Sequence, residues 1–176
     1  MGKRGLVKIP MRVFDIDSEE ILKPKDWSFP IPISYGPGRL SEIAQFCQSL
    51  EINNPLIVTD NNSKQLPFIE NLKGLLNESN IKSDLFFDIS PNPKDNEIAK
   101  GCLQFQSGNH DAIIAIGGGS AMDGGKAICL TANNDLELWD FEWELSPQRI
   151  SEENFFPKII CIPTTAGTGA ETDSTA

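Results

Sequence analysis

Residues 112–116, Ala-Ile-Ile-Ala-Ile, run without a polar break into Gly117-Gly118-Gly119-Ser120, and an apolar helical spacing resumes at once over 121–130. A strand with no polar alternation has both faces covered, which is the habit of parallel sheets. A strand that passes through a tight turn into a helix is the first half of a crossover unit, the usual way to join two parallel strands. Few other architectures accept this junction.

The rest of the chain repeats the alternation. Leu40, Ile43, Ala44, Cys47 and Leu50 mark a helix over 40–50, and Pro55-Leu56-Ile57-Val58-Thr59 is a short strand stopped by Asp60-Asn61-Asn62. Leu66, Ile69, Leu72 and Leu76 follow helical spacing. Leu85-Phe86-Phe87 is a second strand, stopped by Ser90-Pro91-Asn92-Pro93. Ile98, Ala99, Cys102 and Leu103 mark another helix, and 158–162 closes the series as an apolar strand. The expected fold is therefore α/β, a doubly wound, Rossmann-like and mostly parallel sheet. In such sheets ligands bind beyond the carboxyl ends of the strands.

Residues 1–30 read as an irregular N-terminal extension, with a strand candidate at 11–16 and a solvated stretch over 18–25. Residues 31–176 read as one domain, and 29–35 is extended, with Pro30 and Pro32 confining it to an edge or loop. The acidic and aromatic segment 136–157 interrupts the alternation. It reads as an insertion packing its aromatics on the domain, or as a flap beside the ligand cleft.

Composition narrows the function. The net charge of -10 over 176 residues disfavours nucleic acid, whose phosphates would be repelled over most of the surface. No run approaches the ~20 apolar residues of a membrane span, and the basic start at residues 1–4 is not followed by the apolar core of a signal peptide. A cytoplasmic location is the expectation. The four cysteines form no CxxC pair and lie in apolar contexts, as small buried hydrophobes do. The single histidine, His110, cannot make a metal site alone and sits in a turn sequence, Gly-Asn-His-Asp.

The glycine run carries the chemistry. Glycines let a backbone approach a ligand closely, and the helix behind them offers free N–H groups and a positive dipole end. A pyrophosphate is the natural guest. The run is not a Walker A loop, because Ser120 and Ala127 stand where glycine and Ser/Thr are required. Nor is it GxGxxG, because Met122 stands at the last glycine. A second loop, Pro163-Thr164-Thr165-Ala166-Gly167-Thr168-Gly169-Ala170-Glu171-Thr172, also follows an apolar strand. Its hydroxyls suit phosphate, ribose or amide oxygens. Thr168 with Glu171 also has the spacing of a helix capping box. Asp60, at a strand end, suits either the hydroxyls of an adenosine ribose or an Asx turn with Asn61 and Asn62.

Together these residues resemble the iron-containing (group III) alcohol dehydrogenase family. The matching pieces are Tyr35-Gly36-Pro37-Gly38, Val58-Thr59-Asp60, Asn92-Pro93, Gly117-Gly118-Gly119-Ser120 with Asp123 and Lys126, and Pro163 through Glu171, in family order. The resemblance implies an NAD-dependent, metal-assisted oxidoreductase interconverting an alcohol and an aldehyde or ketone. It implies that Gly117, Gly118, Gly119 and Ser120 cradle the pyrophosphate and that Asp60 contacts the adenosine ribose, favouring NAD over NADP. Asn92 then neighbours the cofactor, Thr164, Thr165 and Thr168 contact it near the nicotinamide, and Asp123 is a further motif position. Lys126 is read as a motif lysine or as a solvent-facing one.

The chain departs from the family in its N-terminal extension, in Pro37, and in Gly124-Gly125, which weaken a helix by about 1 kcal/mol each. Family members run to roughly twice this length, in two-domain territory. Their all-helical second domain holds iron or zinc on one aspartate and three histidines. The expectation is a truncated cofactor-binding half, with no catalytic and no metal residues of its own. It would bind NAD(H), turn over no alcohol alone, and expose an apolar face meant for the helical domain. Its partners would be a small alcohol or carbonyl substrate and, at full length, further copies of itself, with neither nucleic acid nor membrane. Half of a polyol or sugar-phosphate dehydrogenase, or a standalone nucleotide-binding module, are the alternatives.

Overall fold

Four β-branched and aliphatic segments become strands: β3 (Pro55–Asp60), β4 (Asp84–Ile89), β5 (Ala112–Gly117) and β6 (Lys158–Pro163). The computed structural model describes residues 23–28, 31–142 and 155–173. All three pairings are parallel, in the order β4-β3-β5-β6. Successive strands are joined by α2 (Pro67–Glu78), α3 (Asp95–Ser107) and α4 (Gly119–Thr131), while α1 (Ile43–Ser49) precedes β3. This is the doubly wound α/β sheet that the alternation implies.

Register decides which side chains share a face. Val58 pairs with Phe86 and Ala115, and Ala115 with Cys161, so this row points one way. It is buried with Ile98 and Phe105 of α3 and Met122 and Ile128 of α4. The alternate row, Ile57 and Ile114, is buried with Cys47 of α1 and Ile69, Leu72 and Leu76 of α2. Each fully buried Leu or Ile contributes about 1.5–3 kcal/mol. The central strands β3 and β5 are therefore apolar on both faces, whereas Ile159, Ile160, Cys161 and Ile162 of the edge strand β6 are half-buried.

The strand order reverses between β3 and β5, since β4 lies to one side of β3 and β5 to the other. The ladder between β3 and β5 runs to Val58↔Ala115, while on the other side β3 continues past a register shift to pair Asp60 with Ile89 of β4. The buried Thr59 hydroxyl then donates to the Ile116 carbonyl at 2.7 Å, replacing a ladder bond where the strands part. This is the topological switch point, where open α/β sheets form their ligand crevice.

At the opposite edge His110 is buried, its Nδ1 2.9 Å from the Asn54 carbonyl and its Nε2 3.4 Å from Asp84. It does lie in a turn, with Asn109 left-handed at φ 51°, but the ring points inward and its Nδ1 ties the start of β5 to the residue before β3.

The chain divides into two compact units, one ending at Arg39 and one starting at Leu40. The first contains an antiparallel pair, β1 (Lys25–Ser28) with β2 (Pro32–Tyr35), where Asp26 accepts hydrogen bonds from Arg39 at 2.7 Å and Ser34 at 2.9 Å. The stretch 23–25, read as solvated, thus runs into a strand. The strand candidate at 11–16 and most of the flap at 143–154 lie outside the described residues. Of segment 136–157, Leu138 packs on the core, Phe141 meets Phe156 edge-on at 6.2 Å, and Trp139 is exposed. No helix among the described residues is long and apolar enough to cross a membrane.

All four cysteines are free. Burial pushes the Cys47 thiol up to about 11 and the Cys129 thiol up to about 12. The thiolate is the nucleophile, so at pH 8 only on the order of a thousandth of Cys47, or less of Cys129, is reactive. A disulfide reagent at pH 8 should leave both unmodified in the native chain and modify all four once it is unfolded. Rapid native labelling of either would contradict their burial.

Candidate functional site

At the carboxyl end of β5 the backbone turns through Gly117 at φ +149°, where a Cβ would stand 2.7 Å from Ala121 Cβ. Only glycine fits that turn. Gly118 is the N-cap of α4, and its carbonyl accepts from Ala121 N at 3.1 Å and Met122 N at 3.3 Å. The first N–H groups of α4, at Gly119 and Ser120, have no intrahelical acceptor and lie at the positive end of a 13-residue helix.

The loop after β6 lies beside this turn. Thr164 N donates to the Gly117 carbonyl at 2.8 Å. A Cβ on Gly118 would lie 3.6 Å from Thr165 Oγ1, and one on Gly119 would lie 3.5 Å from Thr168 Cβ. The two glycine-containing loops therefore face each other across a gap that any larger side chain would fill. The capping box expected of Thr168 and Glu171 does not form, because 170–172 is a turn and not a helix start. Thr168 Oγ1 instead accepts from Ala170 N at 3.3 Å, two residues on, and Thr172 Oγ1 donates to Gly169 O at 3.1 Å.

Asp60 ends β3 on the other side of the crevice. Its Oδ1 accepts from Asn62 N and Ser63 N, both at 3.0 Å, and its Oδ2 from Ser63 Oγ at 2.7 Å. The Asx turn is thus formed. It fixes the carboxylate so that Oδ2 would be 3.4 Å from a Cβ on Gly117. A carboxylate oxygen has lone pairs to spare, so this turn leaves acceptor capacity toward the crevice.

Asn92 follows β4, one strand further out, with a left-handed φ of 55°. Its loop is held by Glu97, which accepts from Ser90 N, Ser90 Oγ and Lys94 N at 3.0–3.1 Å. Desolvation pushes the Glu97 carboxyl up, but these donors outweigh it and hold the group below its ordinary value.

Asp123 lies on α4 with its carboxylate 3.6 Å from Lys126. Burial raises its pKa, the Asp173 charge adds to this, and Lys126 opposes it. Lys126 is not solvent-facing: its side chain is 16% exposed, and its Nζ lies 2.7 Å from Asp173 Oδ1. Of the residues the sequence points to, the structure brings Asp60, Gly117, Gly118, Gly119, Thr164, Thr165 and Thr168 to the carboxyl ends of β3, β5 and β6, with Ser120 next in α4, whereas Asn92 follows β4 and Asp123 lies further along α4. The sequence does not point to Thr59 or Asp173. A groove of about 730 Å³ with walls of both charges, including Lys73, Lys82, Glu70 and Asp84, lies at the amino ends of β3 and β4, away from these loops.

The sequence model for "Iron-containing alcohol dehydrogenase" matches residues 30–176. The chain belongs to the iron-containing alcohol dehydrogenase family. Among its curated relatives is a choline dehydrogenase of Bacillus subtilis, 32% identical over 157 residues, which are 87% of this chain and 38% of that protein. A solved 1,3-propanediol oxidoreductase superposes with a TM-score of 0.68 at 31% identity, over 77% of this chain and 34% of that one. A sulfoacetaldehyde reductase from Bifidobacterium kashiwanohense, solved in complex with NAD+, gives a TM-score of 0.63 at 28% identity, over 77% and 35%. The chain spans little more than a third of the length of such family members.

The residues present fit a dinucleotide: the gap between Gly118, Gly119 and the threonine loop is one a Cβ would fill, and it lies at a helix N-terminus. Among the described residues no three His, Cys, Asp or Glu side chains converge on a common point.

Proposed function

We propose that this chain is the NAD-binding part of a metal-assisted dehydrogenase that interconverts an alcohol and an aldehyde or ketone. The observation that carries the reading is the pairing of the two glycine loops across the switch-point crevice. The loop after β5 presents helix N–H groups to a pyrophosphate. Thr165 and Thr168, on the facing loop, offer hydroxyls to the rest of the nucleotide. Asp60, held by Ser63 and Asn62, accepts the adenosine ribose hydroxyls. When bound, the nicotinamide supplies hydride transfer, and this chain binds and orients it. The metal and most substrate contacts belong to parts of a full-length protein beyond these residues. Support comes from the family match and from the relative solved with NAD+. A cytoplasmic setting and a homo-oligomeric full-length enzyme complete the reading, and the four free thiols accord with a reducing compartment.

The same carboxylate sets a preference. A 2′-phosphate beside Asp60 would place like charges in contact, so NADPH should bind at least about 10-fold more weakly than NADH, a difference of ~1.4 kcal/mol. Fluorescence titration of the chain with each cofactor measures this, and Asp60→Ser should narrow the gap. A folded chain that binds no NADH at millimolar concentration would overturn the reading, and equal affinity for both cofactors would remove Asp60 from it.

A further inference from the structure

Lys126 is too buried for a solvating lysine, and the groups around it do not belong to one element. Its Nζ is 2.7 Å from Asp173 Oδ1, 3.4 Å from the Asp173 carbonyl oxygen, and 3.6 Å from Asp123 Oδ1. Asp123 rides on α4 with Lys126, whereas Asp173 lies 47 residues on, at the far end of the threonine loop. One ammonium thus holds both the side chain and the backbone of the loop to the helix that carries the glycine cradle.

The loop needs such a tie. Its near end is bound to the cradle by Thr164 N donating to Gly117 O. Residues 164–168 are exposed, and Gly167 and Gly169 have positive φ with open space where a Cβ would stand. Ala170 is the one small residue of the arc buried in the core. The last turn closes through Thr172 N and Asp173 N, which donate to Gly169 O at 2.9 and 3.2 Å. The Lys126 contact seals that turn.

We propose that Lys126 is a positioning residue whose ion pair with Asp173 latches the threonine loop across the glycine cradle, so that nucleotide affinity depends on it. The inference rests on the cofactor reading above and adds a residue that acts on the nucleotide through the loop. The Lys126 side chain is sheltered while that of Asp173 is 45% exposed, so the pair is stronger than a fully exposed one but weaker than a buried one. Without the ammonium, Asp123 and Asp173 face each other as like charges, which pushes the loop off the helix.

The test uses Lys126→Met, Asp173→Asn, the double variant and Lys126→Arg, read by NADH titration and by hydrogen exchange of the 172 and 173 amides. Each single loss should raise the NADH Kd about 10-fold and speed those amides by a similar factor. The double variant should be no worse than either single, because both remove one interaction. Lys126→Arg, which keeps the charge, should stay within about threefold of the unaltered chain. Additive losses, or unchanged exchange at 172 and 173, would overturn the latch. Absence of NADH binding by the unaltered chain would instead overturn the cofactor reading. The exchange rates alone would then decide whether the latch stands.

Discussion

Replacing Gly125 by alanine should destabilise the chain by about 2 kcal/mol, although alanine is the better helix former by about 1 kcal/mol. The reason is the floor beneath α4. A Cβ at 125 would lie 2.6 Å from Ala115 Cβ, on the central strand β5. Neither atom can turn aside, because each is fixed directly to backbone. The helix must lift from the sheet, and overpacking of this kind costs about 1–3 kcal/mol or more. Lifting α4 also loosens Met122 and Ile128, both fully buried. Gly124 provides the contrast. Its Cβ would meet only side-chain atoms of Ile89, Cδ1 at 2.7 Å, Cγ1 at 3.0 Å and Cγ2 at 3.2 Å, and this buried β-branched side chain can yield in part where a Cβ fixed to backbone cannot. Gly124→Ala should therefore cost less than Gly125→Ala, about 1 kcal/mol, the gained propensity offsetting part of the strain. Thermal melts measure both. At about 2–4 °C per kcal/mol for a chain of this size, Gly125→Ala should melt roughly 4–8 °C lower than the unaltered chain. A Gly125→Ala melt equal to or above it would show that α4 is not seated on β5 as described.

These two glycines also show where sequence reading stops. Read along the chain they are defects in a helix; read against the sheet they are the condition for its close approach. The strands, by contrast, were legible, because β5 is apolar at every buried position and β3 at all but Thr59, and such runs need no knowledge of their neighbours. So was the placement of the glycine and threonine loops, each directly after an apolar strand. β1 was not legible: Lys25-Asp26-Trp27-Ser28 carries a single large apolar residue, and its strand character comes from pairing with β2. Leu66 fitted the helical spacing but stands 43% exposed just outside α2, where Pro67 sets the first helical turn. Contacts between distant segments were hidden altogether. His110 looked like a polar turn residue until Asn54, 56 positions away, met its ring. Nor does the sequence show that the Thr59 hydroxyl takes the Ile116 carbonyl, 57 positions away.

At Asp60 the Asx turn that forms leaves room for the proposed ribose contact. Its Asx turn and its place at the crevice use different acceptor directions of one carboxylate, and the turn aims the group. The same logic gives the second large effect. Gly118→Val should weaken NADH binding by at least about 100-fold while shifting the melting temperature by less than about 3 °C. In the free chain valine is accommodated: Gly118 has φ -79° and ψ -174°, an extended conformation that any residue adopts. Its Cβ would meet only Thr165 Oγ1, at an ordinary 3.6 Å. Exchanging glycine for another residue at an N-cap costs on the order of 1 kcal/mol. The bound state is different, because a pyrophosphate must lie against the N–H groups at the start of α4. Each charge-assisted hydrogen bond there is worth about 1.5–3 kcal/mol, and a branched side chain between the loops would break two of them. Gly117→Val would not isolate this effect, since its Cβ collides with Ala121 at a positive φ and the fold itself would fail. A Gly118→Val chain that melts normally and binds NADH within threefold of the unaltered chain would place the nucleotide elsewhere. Normal melting with binding lost would tie affinity to the gap between the two loops.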